Sequence, residues 1–374
     1  MPDWTRPSQA AASKSGNRRM PAPPAGLLAR ALATLDSGYF AWVMASGIVS
    51  VGTDLLGFRV FSQVSLGVTI FAFLLLVAAY AIRFISFSAW ALESLRDPTT
   101  AMAYFTVVAG TDVLAVRFLM AGHTTVALGL GMAAAIIWLV LTYGLPWSIV
   151  ARAHRPVLAE FNGTWLVWVV GTQSLAIIAA GLTPHAPSDW LATGLPIVAI
   201  CLWGIGVMLY LILIVIVFLR LLVIEVTPAE MGPAYWIAMG AMAISIRAAA
   251  GILALHGGHA ATYVAELRPF LVGLSVVFWS FATWWIPLLI LFGIWRYLVR
   301  GYSRAYEPRL WSMVFPVGMY TVASYTLGKA AGFGFMVSVA RAWVWAGMIA
   351  WVVVLVLMVI AMVRALGRRG GSSA

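Results

Sequence analysis

Residues 309–330 read RLWSMVFPVGMYTVASYTLGKA, and the reading of this stretch decides the fold. It is long and apolar enough to span a bilayer, which takes about 20 residues. A Phe-Pro pair, Phe315-Pro316, follows Trp311 by about a turn, and small residues follow at Gly318, Ala323 and Gly328. Pro316 removes one backbone hydrogen bond and predicts a kink. Inside a membrane, backbone freed in this way is tolerated only where protein or a water-filled cavity satisfies it. A bulky ring at such a kink predicts a pathway with an obstruction. The competing reading is ordinary packing, since proline is frequent in membrane helices.

The composition supports a membrane setting for the whole chain. Of 374 residues, 63% are hydrophobic and 9% charged, and the mean hydropathy is +0.97; a soluble domain carries about 25% charged residues. The 18 Trp and 12 Tyr suit interfacial belts. A formal charge of +11 raises the question of nucleic acid. The basic residues lie between apolar spans, however, so topology explains them and no nucleic acid partner is expected. The single cysteine, Cys201, excludes an intrachain disulfide or a cysteine-based metal site. Residues 1–36 are rich in Pro, Ala and Ser and carry Arg6, Lys14, Arg18, Arg19 and Arg30. They read as a disordered, basic cytoplasmic tail rather than a signal peptide. A transmembrane domain is expected over 37–365, with a short basic cytoplasmic tail over 366–374.

Ten spans are expected, at 38–56, 63–83, 102–121, 125–147, 163–182, 191–222, 232–255, 269–296, 310–330 and 341–362. The sixth and eighth are long and predict tilt or extension beyond the bilayer. An even count puts both termini on one side. Arg83, Arg96, Arg152, Arg155, Arg220, Arg296, Arg300, Arg304, Arg309, Arg364, Arg368 and Arg369 then share that side with the tail, against Arg59, Arg268, Lys329 and Arg341 on the other. The positive-inside rule makes the arginine-rich side cytoplasmic.

The odd spans begin alike: YFAWVMASGIVSVG from Tyr39, YFTVVAGTDVLAVR from Tyr104, TWLVWVVGTQSLAI from Thr164, YWIAMGAMAISIRA from Tyr235 and LWSMVFPVGMYTVA from Leu310. Each has an aromatic in second place: Phe40, Phe105, Trp165, Trp236 and Trp311. Seven residues on stand Gly47, Asp112, Thr172, Ala243 and Gly318, mostly small. Repeats of this kind characterise transport folds, and five helical hairpins follow. Positions i, i+4, i+7 and i+11 share a helix face. Five such faces around an axis predict a lining of Met44, Gly47, Ala109, Asp112, Val169, Thr172, Gly240, Ala243, Gly318 and Val322. Phe315 is the largest group at its level and, with Pro316, the expected gate.

On ninth-span WSMVFP, on FNGTWLVWVVGTQS at 161–174 and on DPTTAMAYFTVVAGTDVLAVR at 97–117, the chain resembles the tellurite-resistance/dicarboxylate transporter family. That family includes bacterial TehA-like proteins, fungal malate and sulfite transporters and plant guard-cell slow anion channels. The resemblance covers about residues 35–364. It implies an all-α integral membrane fold of ten helices, the odd ones lining a central pore and the even ones forming an outer ring. It further implies a homotrimer with one pore per protomer, occluded by a ninth-span phenylalanine that aligns with Phe315. Small inorganic or organic anions are the implied substrates.

Ionisable groups within spans carry a cost of about 2.5–3.5 kcal/mol each at the bilayer centre and point to function. Arg117 and Arg247 come about three turns into their helices, where they either draw anions to an outer mouth or pair with Asp112 or Asp54. Asp112 would repel an anion if charged and bare, so it is expected to be paired with Arg117 or Arg247, or protonated. Protonation would suit a proton-coupled dicarboxylate or sulfite carrier, the alternative to an anion channel or uniporter. Lys329 reads as an interfacial anchor, His256 and His259 as a weak metal pair, and Asn162-Gly163-Thr164 as a glycosylation pattern on the wrong side. No phosphate-binding loop, nucleotide motif or catalytic triad stands out, so neither an enzyme nor a cofactor is expected. The bacterial cytoplasmic membrane is the expected location.

Overall fold

The computed structural model describes residues 24–151, 158–256 and 258–370. Among these residues, all regular structure is helical. The helices of fifteen or more residues are α1 (Ala41–Leu55), α2 (Arg59–Ser86), α3 (Phe105–Met120), α4 (Thr124–Val150), α5 (Val167–Leu182), α6 (Asp189–Val223), α7 (Ile237–Leu253), α8 (Gly258–Ile294), α9 (Trp311–Ala331) and α10 (Gly334–Gly370). The odd helices are short, 15 to 21 residues, and the even ones run from 27 to 37.

The odd helices close on themselves. α1 packs on α3, α3 on α5, α5 on α7, α7 on α9, and α9 returns to α1. Each even helix packs on the odd helix before it and forms the outer layer. The spans containing α3, α5 and α7 are 78–83% buried, against 22–39% for the even helices. Composition explains the split. The even helices are apolar all round and turn residues such as Leu139, Val215, Leu291 and Val359 outward, as a lipid-facing helix requires. The odd helices carry many Gly, Ala, Ser and Thr, which let backbones approach closely.

Among the described residues, eight helices are long and apolar enough to cross a membrane. They comprise the five even helices together with the spans built on α3, α5 and α7. α1 is shorter, at 15 residues. α9 falls outside the eight although residues 309–330 read as span-like: Ser312, Thr321, Ser324, Thr326 and Lys329 dilute it. Most of α9 is buried within the protein, so the apolarity a lipid-facing helix needs is not demanded of it. α6 and α8 are long, at 35 and 37 residues, and so is α10, which starts at Gly334 rather than near 341.

Two repeated devices hold the layers together. Outer-helix indoles donate to the inner helix of the next hairpin. Trp138 Nε1–H bonds Thr172 Oγ1 at 2.9 Å, Trp203 bonds the Ser245 carbonyl at 3.1 Å, Trp279 bonds Ser324 Oγ at 2.9 Å, and Trp351 bonds Ser46 Oγ at 2.9 Å. The last of these joins the fifth hairpin to the first. At the C-terminal ends of the outer helices lie arginines that the charge pattern presents as topology signals. Arg83, Arg220 and Arg296 are buried. Arg83 donates to Tyr104 Oη, Arg220 to Tyr235 Oη, and Arg296 pairs with Glu307 at 2.9 Å. These three pin the chain where it turns into the next inner helix, whatever their part in orientation.

Within the expected tail, residues 1–23 lie outside the described residues, and Leu27–Ala33 is a helix rather than disordered chain. The Asp36 carbonyl accepts from Tyr80 Oη at 2.7 Å. Arg152 and Arg155 also fall outside the described residues. At the other end, α10 continues to Gly370, into the expected tail, and residues 371–374 lie outside the described residues.

If the indole bonds join the hairpins, Trp351→Phe keeps most of the ring and loses the donor. An interhelical hydrogen bond in a membrane protein averages about 0.6 kcal/mol. Trp351→Phe should lower the thermal midpoint in detergent, measured by size-exclusion after heating, while Trp147→Phe on the exposed face of α4 should leave it unchanged.

Candidate functional site: an axial cavity and its basic basin

A small cavity lies where all five odd helices meet. It is lined by Ile48 and Val51 of α1, Asp112, Val113 and Val116 of α3, Ser174 and Ile177 of α5, Ile244 and Arg247 of α7, and Met319 and Val322 of α9. The lining has a regular register. Counted from Phe40, Phe105, Trp236 and Trp311, the eighth and eleventh residues line it. On α5 the count runs from Leu166, one residue past the aromatic Trp165. Packing shows the same offset. Gly110 of α3 lies against Phe40, and Gly171 of α5 lies in the same way against Phe105. The sequence signal for this offset is the match of Gly110-Thr111-Asp112 with Gly171-Thr172-Gln173, and it would have identified Ser174 as a lining residue.

This register sorts the expected lining residues. Asp112, Arg247 and Val322 face the cavity. Gly47 instead meets Val113 and Thr69, and Gly318 meets Ile48 and Val49, so both serve helix contacts. Thr172 is engaged by Trp138 and donates back to the Trp168 carbonyl at 2.9 Å. Ala243 and Val169 are buried and are not among the cavity's lining residues. The physical reason is the pitch: on a 3.6-residue helix the seventh residue stands about 20° to one side of the aromatic's line and the eighth about 80° to the other, so the face toward the cavity is rotated away from the aromatic's line, and the neighbouring helix decides. Met44, Ala109, Gly240 and Phe315 stand one turn nearer the helix starts, all buried, with Phe315 fully so. Gly240 is where α7 meets Pro316: a Cβ there would stand 2.7 Å from the proline Cγ. Pro316, which has no N–H for the Ser312 carbonyl, sits inside the continuous α9.

The cavity offers about 20 Å³, close to the room one water occupies. Asp112 is completely buried in its wall. One carboxyl oxygen accepts from Ser174 Oγ at 2.7 Å, and the other makes no hydrogen bond to the protein. Neither expected arginine partner is used. Arg117, which by sequence shares the outer mouth with Arg247, is turned away from the axis. It pairs with Asp54 at 3.2 Å and donates to Ser62 Oγ at 3.2 Å, lining neither the cavity nor the basin beyond it.

Beyond the cavity, toward the C-terminal ends of the odd helices, a basin of about 630 Å³ opens. Arg247 and Ile177 line both spaces and so stand at the junction. Arg247, Arg268, Lys329 and His256 line the basin, and among the described residues no carboxylate does. Arg268 donates to the Ala330 carbonyl at 2.8 Å, and Lys329 lies over the Tyr325 ring. Among the described residues the Arg247 side chain has no hydrogen bond or ion pair. Lys329 thus does more than anchor an interface: it belongs to a basic wall. Among the described residues no group of three His, Cys, Asp or Glu is placed to hold a metal; the His259 side chain lies outside them. Asn162 caps the turn ahead of α5, accepting from Thr164 N–H at 2.8 Å.

A closed ring of small-residue helices around a mostly apolar cavity that holds one carboxyl and one guanidinium, sheathed by lipid-facing helices, defines a membrane transport protein. The chain matches the model of the SLAC1 family, described as voltage-dependent anion channels, over residues 34–359, and it belongs to that family. It is 25% identical over 324 residues to an uncharacterized transporter of Methanocaldococcus jannaschii, covering 85% of this chain and 90% of the relative. A second uncharacterized transporter of the same organism is 23% identical over 333 residues, 86% and 93% of the two chains. An uncharacterized membrane protein of Mycobacterium tuberculosis is 39% identical over 158 residues, 42% of this chain and 79% of its own length.

The Gly240–Pro316 contact sets how closely α7 and α9 approach at the level of Phe315. Gly240→Val should therefore cost about 1–3 kcal/mol by overpacking and lower the thermal midpoint by several degrees. Gly129→Val, made in open space on α4, should shift it far less.

Proposed function

We propose that this protein is an anion channel or uniporter of ten spans, in which the five odd helices line a central pore and Phe315, at the Pro316 level, occludes it. The observation that carries the reading is Arg247. Among the described residues it is an unpaired cation, at the junction between a basic basin that no described carboxylate lines and a cavity with room for about one water. Such a basin concentrates anions by its field. The anion meets Arg247, Arg268 and Lys329 at several weak sites rather than one tight one, which conduction requires. Valine and isoleucine side chains around Arg247 keep the dielectric low and strengthen its attraction for an ion that has shed water. Phe315 lies one turn further in, where its ring closes the axis until α9 shifts against α7. Both termini are assigned to the cytoplasm, the protein to the bacterial cytoplasmic membrane, and the assembly to a homotrimer with a pore in each protomer.

A second reading is favoured by one observation. Asp112, with one oxygen free of protein partners, stands in the same cavity as Arg247 and offers a proton-carrying group, as a proton-coupled dicarboxylate or sulfite carrier would need.

The test is current in planar bilayers. Wild type should be nearly silent, Phe315→Ala should pass a large anion-selective current, and Phe315→Ala with Asp112→Asn should keep it. A folded Phe315→Ala protein that carries no current would contradict the channel reading. Acid-driven uptake lost in Asp112→Asn would establish the carrier instead.

A further inference from the structure

A separate groove of about 400 Å³ lies between the fourth and fifth hairpins, at the end where the odd helices begin. Its walls are Leu289, Phe292 and Gly293 of α8, Met313 of α9 and Leu357 of α10, with Arg304 on the connecting loop. Nothing in the transport reading uses it. The last helical residues of α8 pass here into a π turn, Trp295–Val299, an arrangement frequent at functional sites.

Three observations define its occupant. The groove is continuous with the lipid-facing surface: Ile290 lines it at 48% exposure, and Leu291, Ile294 and Leu298 beside it are exposed. Its body is apolar and of a size that accepts a ligand. Among the described residues its charged members are both arginines, and no carboxylate lines it. Arg296 is buried and already committed to Glu307, with its guanidinium 4.2 Å from the Tyr302 ring centroid. Arg304 is exposed and, among the described residues, has neither a hydrogen bond nor an ion pair. An apolar slot that opens to lipid and ends at an unpaired arginine complements a molecule with an acyl chain and an anionic head.

We propose that this groove binds one anionic phospholipid per chain, its acyl chain along Leu289, Phe292 and Leu357 and its phosphate at Arg304. The bound chain lies against Met313, two residues before Phe315.

The test is native mass spectrometry of the full-length protein released from mild detergent after exchange into phosphatidylglycerol or phosphatidylcholine. Three proteins are compared: wild type, Arg304→Gln and Gly293→Phe. Gly293 has open space where a side chain would go, and replacing a helical glycine favours the helix, so folding is expected to survive. Wild type should retain one phosphatidylglycerol per chain, about fivefold over phosphatidylcholine, as one arginine near an anionic head supplies. Arg304→Gln should lose that preference, and Gly293→Phe should lose the retained lipid of either kind. Equal retention of the two lipids by wild type, or undiminished retention by Gly293→Phe, would overturn the proposal. So would a wild type free of lipid whose subunit number falls in Gly293→Phe, since the groove would then seat a second copy of this chain. Lipid retention is read without current, so the outcome is independent of the channel assignment.

Discussion

Closing five helices into a ring places every inner helix between two others, and the rest of the structure follows from that constraint. A helix so enclosed has no lipid-facing side. It loses the need for uniform apolarity and gains a need for close approach. α9 shows both effects. It holds serine, threonine and lysine that a lipid-facing helix would avoid, and it meets α1 through Gly318 against Ile48 and Val49. The same enclosure lets hydroxyls and carbonyls of the inner helices be satisfied by indoles from outside. The bond from Trp351 to Ser46 ties the end of the chain to its beginning.

The ring also decides the fate of its charges. Arg117 and Arg247 both stand eleven or twelve residues after their helix aromatics, yet their surroundings differ. α1 and α2 bring Asp54 and Ser62 to Arg117, which is thereby neutralised inside the first two hairpins. No carboxylate forms an ion pair with Arg247 among the described residues. An unpaired guanidinium near the bilayer interior is costly, and the basin of about 630 Å³ beside it is large enough for water to offset that cost. Asp112 shares the cavity but not a bond with Arg247; Ser174 alone supports it.

Much of this arrangement was legible in the sequence. The five matching helix starts identify the hairpins and the inner helices, and Phe315, Asp112 and Arg247 fall within a turn or so of the axial cavity. What failed was fine register. The aromatic at Trp165 misaligned α5 by one residue, where the glycine-threonine pairs align it correctly. Gly47 and Gly318, small residues that suggest a lining, turned out to be sites of helix contact, because smallness serves close packing as well as it serves a channel. The arginines at the ends of the outer helices were read as topology, but a charge count has no means of telling a solvated arginine from one buried against tyrosine or glutamate. The pairing of Arg117 depended on Asp54, 63 residues away, and was one of two partners left open by sequence.

In the proposed channel, Arg247 is the charge that draws anions to the axis. The most direct measurement is the reversal potential of the Phe315→Ala protein across a salt gradient, with and without Arg247→Gln. With Arg247 present, the potential should lie near the equilibrium potential of the anion. With glutamine in its place, it should move toward zero and the current should fall severalfold. An unchanged potential and current would contradict the account.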